Sequence, residues 1–193
     1  MKAILNKKAF SIFVATIFLI SVLAVPVVLA VPKPVSKYNP YAKGNGQAGK
    51  SNIAYLYLVE KNPADWTIVP DGAWGKMKYN LAGPTFDYVF NGHGLDMGMS
   101  YSLIYYPEPQ NMWPWPMIVI ASGLADSDGN IHLAGSYDFE QDLTDAKIWL
   151  VLSDDIVGGS LSGWSPTEYL FEYDLINYDD MDVSDDGVGD GLD

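Results

Sequence analysis

The 193-residue chain contains no cysteine, no arginine and only two histidines. Without thiols there is no disulfide framework, no cysteine nucleophile and no thiolate metal site, so stability must come from a core, a hard cation or assembly. Without arginine, and at a net charge of −13, the chain has neither the planar fork that grips phosphate nor a basic patch. That excludes a nucleic-acid partner. A zinc site would need both His93 and His132 plus carboxylates. His93 lies in the glycine-flanked turn "NGHGL", and His132 alternates onto the outward face of its strand with Ala134 and Ser136. No Asn-x-Ser/Thr sequon occurs, so no N-glycan is expected to cover any surface.

What is present first is a targeting pattern. Lys2, Lys7 and Lys8 precede an apolar stretch over residues 10–24, and "VVLA" presents branched or small residues where a signal peptidase reads. A secretory signal over residues 1–30, cleaved after Ala30, is the reading, and the expected localisation is secreted or cell-surface. The alternative is a retained N-terminal membrane anchor, because residues 10–29 approach the roughly 20 apolar residues that cross a bilayer. Cleavage removes three lysines and takes the net charge from −13 to −16.

Residues 31–51 carry four lysines and no acid among Pro, Gly and Asn, and read as an extended, disordered basic arm. Residues 179–193 carry seven aspartates and no base, and read as an acidic Asp/Gly-rich tail. Opposite charges at the two ends invite head-to-tail association.

Residues 52–178, between arm and tail, show short runs with period-two alternation. "IAYLYLVE" begins the series at Ile53. In "KMKYNLA", Met77, Tyr79 and Leu81 share a face, and in "TFDYVFN" so do Phe86, Tyr88 and Phe90. "YSLIYY", "MIVIASGLA", "NIHLAGSYD", "KIWLVLS" and "TEYLFEYDLI" follow, with Tyr169, Phe171, Tyr173 and Leu175 of the last expected to face inward. Turn signals such as "PDG", "AGP", "DSDGN" and "VGGS" separate the runs. About eight strands and no long helical period predict an all-β, antiparallel β-sandwich. In "ADSDGNIHL", Asp126 and Asp128 can bond backbone and Gly129 supplies a positive φ, which predicts a tight hairpin rather than a calcium loop.

"GLDMGMSYSLIYY" resembles the signature of immunoglobulin-like and fibronectin type III-like sandwiches, with Met97 and Met99 as departures. The resemblance implies that Leu95 plugs the core, Gly98 makes the turn and Tyr101 is a corner tyrosine whose hydroxyl caps upstream backbone. "GAWGKMKYNLAGPTFDYVFNGHGL" and "AKIWLVLSDDI…GWSPTEYLFEYDLI" resemble secreted or surface proteins of archaea, a likeness that implies no activity.

Chemistry is sparse. Asp154, Asp155, Glu168 and Glu172 are the carboxylates that a hydrolase would have to use. Asp182, Ser184, Asp186, Val188, Asp190 and Asp193 fall at ligand positions of an EF-hand-like calcium loop, with Asp193 in place of the bidentate glutamate. In "YYPEPQNMWPWPMIVI", four prolines forbid regular ladder donation, so Tyr105, Tyr106, Trp113 and Trp115 belong to a loop or an edge. One tryptophan is expected to pack down and the other to be exposed, as a platform for a sugar or a protein neighbour. The functional expectation is a non-enzymatic secreted or surface module. It acts in adhesion or assembly, through a protein neighbour or self-association, with carbohydrate binding as the alternative and a secreted hydrolase after that.

Overall fold

The structure is a computed structural model that describes residues 46–47 and 51–182. The signal segment, nearly all of the basic arm, and the tail positions Ser184, Asp186, Val188, Asp190 and Asp193 lie outside the described residues.

Eight strands of five residues or more carry the fold: β1 (Ile53–Val59), β2 (Trp74–Asn80), β3 (Phe86–His93), β4 (Ser100–Tyr106), β5 (Ile118–Leu124), β6 (Ile131–Tyr137), β7 (Leu143–Leu152) and β8 (Ile176–Asp180). The helical pieces among the described residues are two three-residue 3-10 turns. One sheet runs β1-β2-β3-β6 and the other β8-β7-β4-β5. Every pairing between these eight is antiparallel. A short parallel contact joins Ala82–Gly83 to β8.

Alternation explains the sandwich. In β3, Phe86, Tyr88 and Phe90 are buried while Asp87, Val89 and Asn91 are exposed, and a one-residue slip would invert the whole set. Rings of the two sheets meet in the middle: Phe86 of β3 contacts Tyr178 of β8 edge-on at 5.3 Å, and Tyr88 Oη donates to the Ile120 carbonyl of β5 at 3.3 Å. Burial pushes the Tyr79 hydroxyl up to about 12.

The corner around Tyr101 is built as its residues imply. Leu95 is buried, Gly98 adopts φ +72°, and the Asp96 N–H donates to the Tyr101 hydroxyl at 3.2 Å. The β5–β6 hairpin locks onto this corner. Asp126 Oδ1 accepts from the N–H groups of Asp128 (2.9 Å) and Asn130 (2.8 Å), and the Leu95 N–H donates to the Gly129 carbonyl at 3.0 Å. Gly129 sits at φ +73°, and a Cβ there would lie 2.5 Å from the Leu95 carbonyl oxygen. Gly129→Ala is therefore expected to cost roughly 2–3 kcal/mol, read as a lower urea midpoint at unchanged slope.

One run departs from expectation. "TEYLFEYDLI" is not a single strand: after a 3-10 turn at Pro166–Glu168, Leu170 bridges to Leu150 of β7, Phe171–Glu172 pairs with Val59 and Leu58 of β1, and Ile176 already begins β8. The chain then leaves this edge for the other sheet, which leaves Tyr173 and Leu175 exposed rather than inward. The ordered strand that follows, β8, extends through Asp180 into the stretch that reads as acidic tail.

A third layer sets up the site. Residues 148–152 of β7 are all buried, which requires cover on both faces of the sheet. The outer cover includes a small sheet in which Ser160–Leu161 pairs on one side with Ile156–Val157 and on the other with Trp115–Pro116. The proline-rich connection from β4 to β5 is thus an edge ribbon of this layer.

Candidate functional site

Five of the six tryptophans converge where the third layer meets the open end of the sandwich. Trp149 projects from β7, Trp113 and Trp115 from the connection between β4 and β5, Trp66 from the β1–β2 connection, and Trp164 from the segment after Leu161. Trp149 stacks on Tyr106 with ring centroids 4.2 Å apart and meets Phe171 edge-on at 5.2 Å. Trp115 meets Tyr106 (5.7 Å), Trp113 (4.8 Å) and Trp164 (5.3 Å), each nearly perpendicular. Trp66 reaches Phe171 at 5.1 Å and Trp164 at 6.5 Å.

Trp66, Trp115, Trp149 and Trp164 line an open cavity of about 370 Å³ with Tyr106 and Phe171, and Trp113 packs on Trp115 beside it. Lys61, Lys147, Glu108 and Glu172 supply the polar groups of its wall. Trp149 is only 6% exposed and serves as floor, whereas Trp66 (49%), Trp113 (48%) and Trp164 (40%) present faces to solvent.

Each rim tryptophan has a local reason for its place. Trp66 holds φ +61°, an uncommon region for a bulky residue. Its loop is pinned by side-chain turns: the Ala64 N–H donates to Asn62 Oδ1 at 3.0 Å and the Thr67 N–H to Asp65 Oδ1 at 3.1 Å. Trp66 itself donates its N–H to the Asn62 carbonyl at 2.7 Å. Backbone held in this region at a cleft is a known mark of functional positioning. Trp164 follows Gly163, where a Cβ would overlap the Asp155 carboxylate. Asp155 organises that loop: its carbonyl accepts from Ser162 (2.8 Å) and Gly163 (2.9 Å), and its carboxylate accepts from the Tyr169 hydroxyl.

The polar groups are gripped as well. Glu172 accepts from the Trp149 indole N–H, and Glu108 pairs with Lys147. Burial pushes the Glu172 carboxyl up, opposed by the nearby Lys61, by the Trp149 hydrogen bond and by Lys147. A carboxylic acid raised on folding binds its proton more tightly in the native state, so it loses stability as pH rises from the ordinary value of 4.5 through the folded one. Glu172→Gln, which can still accept from Trp149, is expected to melt above wild type at pH 7. That advantage should disappear by about pH 4. Melting curves at the two pH values check both sign and window.

Of the four residues singled out in the sequence for binding, Tyr106 and Trp115 line this site, and Trp113 sits beside it against Trp115. Trp113 is the exposed tryptophan and Trp115 the half-buried one. Tyr105 is not there: alternation turns it to the sandwich interior, where its ring meets Phe139 edge-on at 5.4 Å. Trp66, Trp149 and Trp164, Lys61 and Lys147 are additions that local pattern did not reveal; the unusual tryptophan count was the available signal. Glu168 lies on the 3-10 turn, while Asp155 and Glu172 are engaged as described. His93 Nδ1 lies 2.8 Å from Asn130 Oδ1 and His132 Nδ1 2.8 Å from Asn91 Oδ1, the latter pair directly opposite in the first sheet.

Such a site offers flat apolar faces around a few hydrogen-bonding groups, the usual make-up of a small-ligand pocket. Aromatic faces pack against the C–H faces of pyranose rings, while carboxylates and ammonium groups meet the hydroxyls. Comparison with known proteins places no family on this arrangement: no family model, no curated protein and no solved structure matches the chain.

Proposed function

We propose that this chain is a non-enzymatic secreted or surface-displayed binding module that adheres to glycans through its tryptophan-lined cleft. The observation that carries the reading is the convergence of four tryptophans from four separate segments on one open cavity, with Trp113 packed against one of them. Burying aromatic rings needs no such arrangement. Holding Trp66 and Trp164 half-exposed at its rim costs solvent-exposed apolar surface, which a ligand would cover.

An immunoglobulin-like identity for the sandwich belongs to the same proposal. Taking β2, β3, β4, β5, β6, β7 and β8 as strands A, B, C, C′, E, F and G gives the pairs A–B, B–E, C–C′, C–F and F–G, which supports the reading. β1 is then an added strand, and the Tyr101 corner falls on the B–C connection instead of E–F. Export rests on the basic and apolar pattern of residues 1–30, and N-terminal sequencing of the secreted protein should start at Val31. No helix among the described residues is long and apolar enough to cross a membrane.

The test is a glycan array probed with the protein and with a Trp66→Ala, Trp164→Ala double variant. Binding to one class of glycan that the variant loses supports the reading. A product of hydrolysis would make the chain an enzyme instead. A second reading, adhesion through a protein neighbour or self-association, is favoured by the edge strand β5, whose Val119 and Leu124 are exposed. A blank array with concentration-dependent sedimentation would select it.

A further inference from the structure

A second cluster lies on different elements from the cleft. Asp138 follows β6, Asp180 ends β8 and Asp182 sits in the turn beyond it. One carboxylate oxygen from each lies within 4.8 Å of the other two. Acidic residues at a surface commonly gather without a ligand, but Asp180 is not at the surface. It is 2% exposed, and its Oδ1 is buried with no hydrogen-bond partner. Oδ2 has one long contact, from the Gln141 N–H at 3.3 Å. The Asp180 backbone N–H is taken by another acid, Asp142 Oδ1, at 2.8 Å.

A buried, under-bonded carboxylate between two further carboxylates is strongly unfavourable unless a proton or a cation neutralises it. The site is short of positive charge.

We propose that Asp138, Asp180 and Asp182 bind one calcium ion, which clamps the end of β8 to the end of β6. Three carboxylate oxygens all within 4.8 Å of one another can reach one cation together at the calcium–oxygen distance of about 2.4 Å. Magnesium demands a near-ideal octahedron and sheds its waters reluctantly, so a site built of carboxylates from separate segments suits the more flexible calcium shell. Two ligands, Asp138 and Asp182, are exposed, which leaves room for waters to complete the shell. Asp182 is the first position of the EF-hand-like pattern in the tail. Its partners here, Asp180 on β8 and the sequence-distant Asp138, belong to no such loop.

The experiment is isothermal titration of calcium, with melting curves in about 5 mM calcium or in chelator, on the full chain and three variants. That concentration exceeds the ~0.1–1 mM at which extracellular calcium modules half-saturate. Wild type should take up one ion at this site and melt about 5 °C or more higher with calcium than with chelator. Asp180→Asn and Asp138→Asn should lose that shift, and Asp180→Asn should melt in chelator no lower than wild type, because it relieves a charge cluster. A double Asp186→Asn, Asp190→Asn variant should keep the shift. The proposal is overturned if wild type shows neither heat nor shift, if the tail variant loses the ion while Asp180→Asn keeps it, or if magnesium shifts the melt as far as calcium.

Discussion

Trp149→Ala is expected to cost about 3–5 kcal/mol of folding stability, because it removes the β7 side chain on which the third layer packs. Three interactions go with the ring: the stack on Tyr106 at 4.2 Å, the edge contact with Phe171 at 5.2 Å and the indole hydrogen bond to Glu172. The first two are packing losses, and the void is ringed by other rigid aromatics that cannot collapse into it. The third leaves a largely desolvated carboxylate without its donor, which adds its own penalty. Trp149→Phe separates the contributions, since it retains most of the stacking and removes only the donor. Denaturant melts of the two variants should differ by at least 1 kcal/mol. An alanine variant within about 1 kcal/mol of wild type would mean that the third layer is not packed against β7 as described.

Substitution at the rim should behave in the opposite way. Trp66 and Trp164 are 49% and 40% exposed, so replacing them with alanine should change stability by about 1–2 kcal/mol at most. Glycan affinity should fall about 100-fold or more in the double variant, because aromatic anchors at a binding centre each commonly contribute 2 kcal/mol or more. Each single variant is expected to lose roughly thirtyfold. The contrast between floor and rim is the diagnostic feature: the floor residue controls folding, and the rim residues control binding. Equal losses of stability at both places would mark the tryptophans as cover for the sandwich and nothing more.

Much of the sandwich was legible because alternation is a local signal. Phe86, Tyr88 and Phe90 announce a one-sided strand within seven residues, and "DSDGN" announces its own turn. β8 was hidden for a physical reason. Its inward positions are Ile176, Tyr178 and Asp180, and a buried aspartate does not look like the third member of an apolar face. The run before it deceived in the other direction, since Tyr173 and Leu175 continue the alternation although the chain is already leaving β1.

The cleft was legible only in the part that one segment carries. Trp113 and Trp115 stand out in "NMWPWPM", but Trp66 and Trp164 reach the same place from other connections and Trp149 from β7. No periodicity encodes such convergence; it depends on how loops at one end of two sheets are directed. Tyr105 illustrates the cost of reading adjacency as proximity. Its neighbour Tyr106 lines the cleft, while the pleat sends Tyr105 to Phe139 in the interior. The Asp138–Asp180–Asp182 cluster was invisible for the same reason, although Asp182 itself was singled out.

The most direct measurement is a nitrogen-15 NMR titration of the six tryptophan indole N–H resonances with soluble β-1,4-linked glucose and N-acetylglucosamine tetraoses. Trp74 lies on β2 against His93, outside the cleft, and serves as an internal control. The indoles of Trp66, Trp113, Trp115 and Trp164 should shift together and saturate while Trp74 stays in place. If the Trp74 resonance moves with a ligand while the cleft resonances do not, or if no tetraose moves any indole at millimolar concentration, the cleft is not the glycan-binding site.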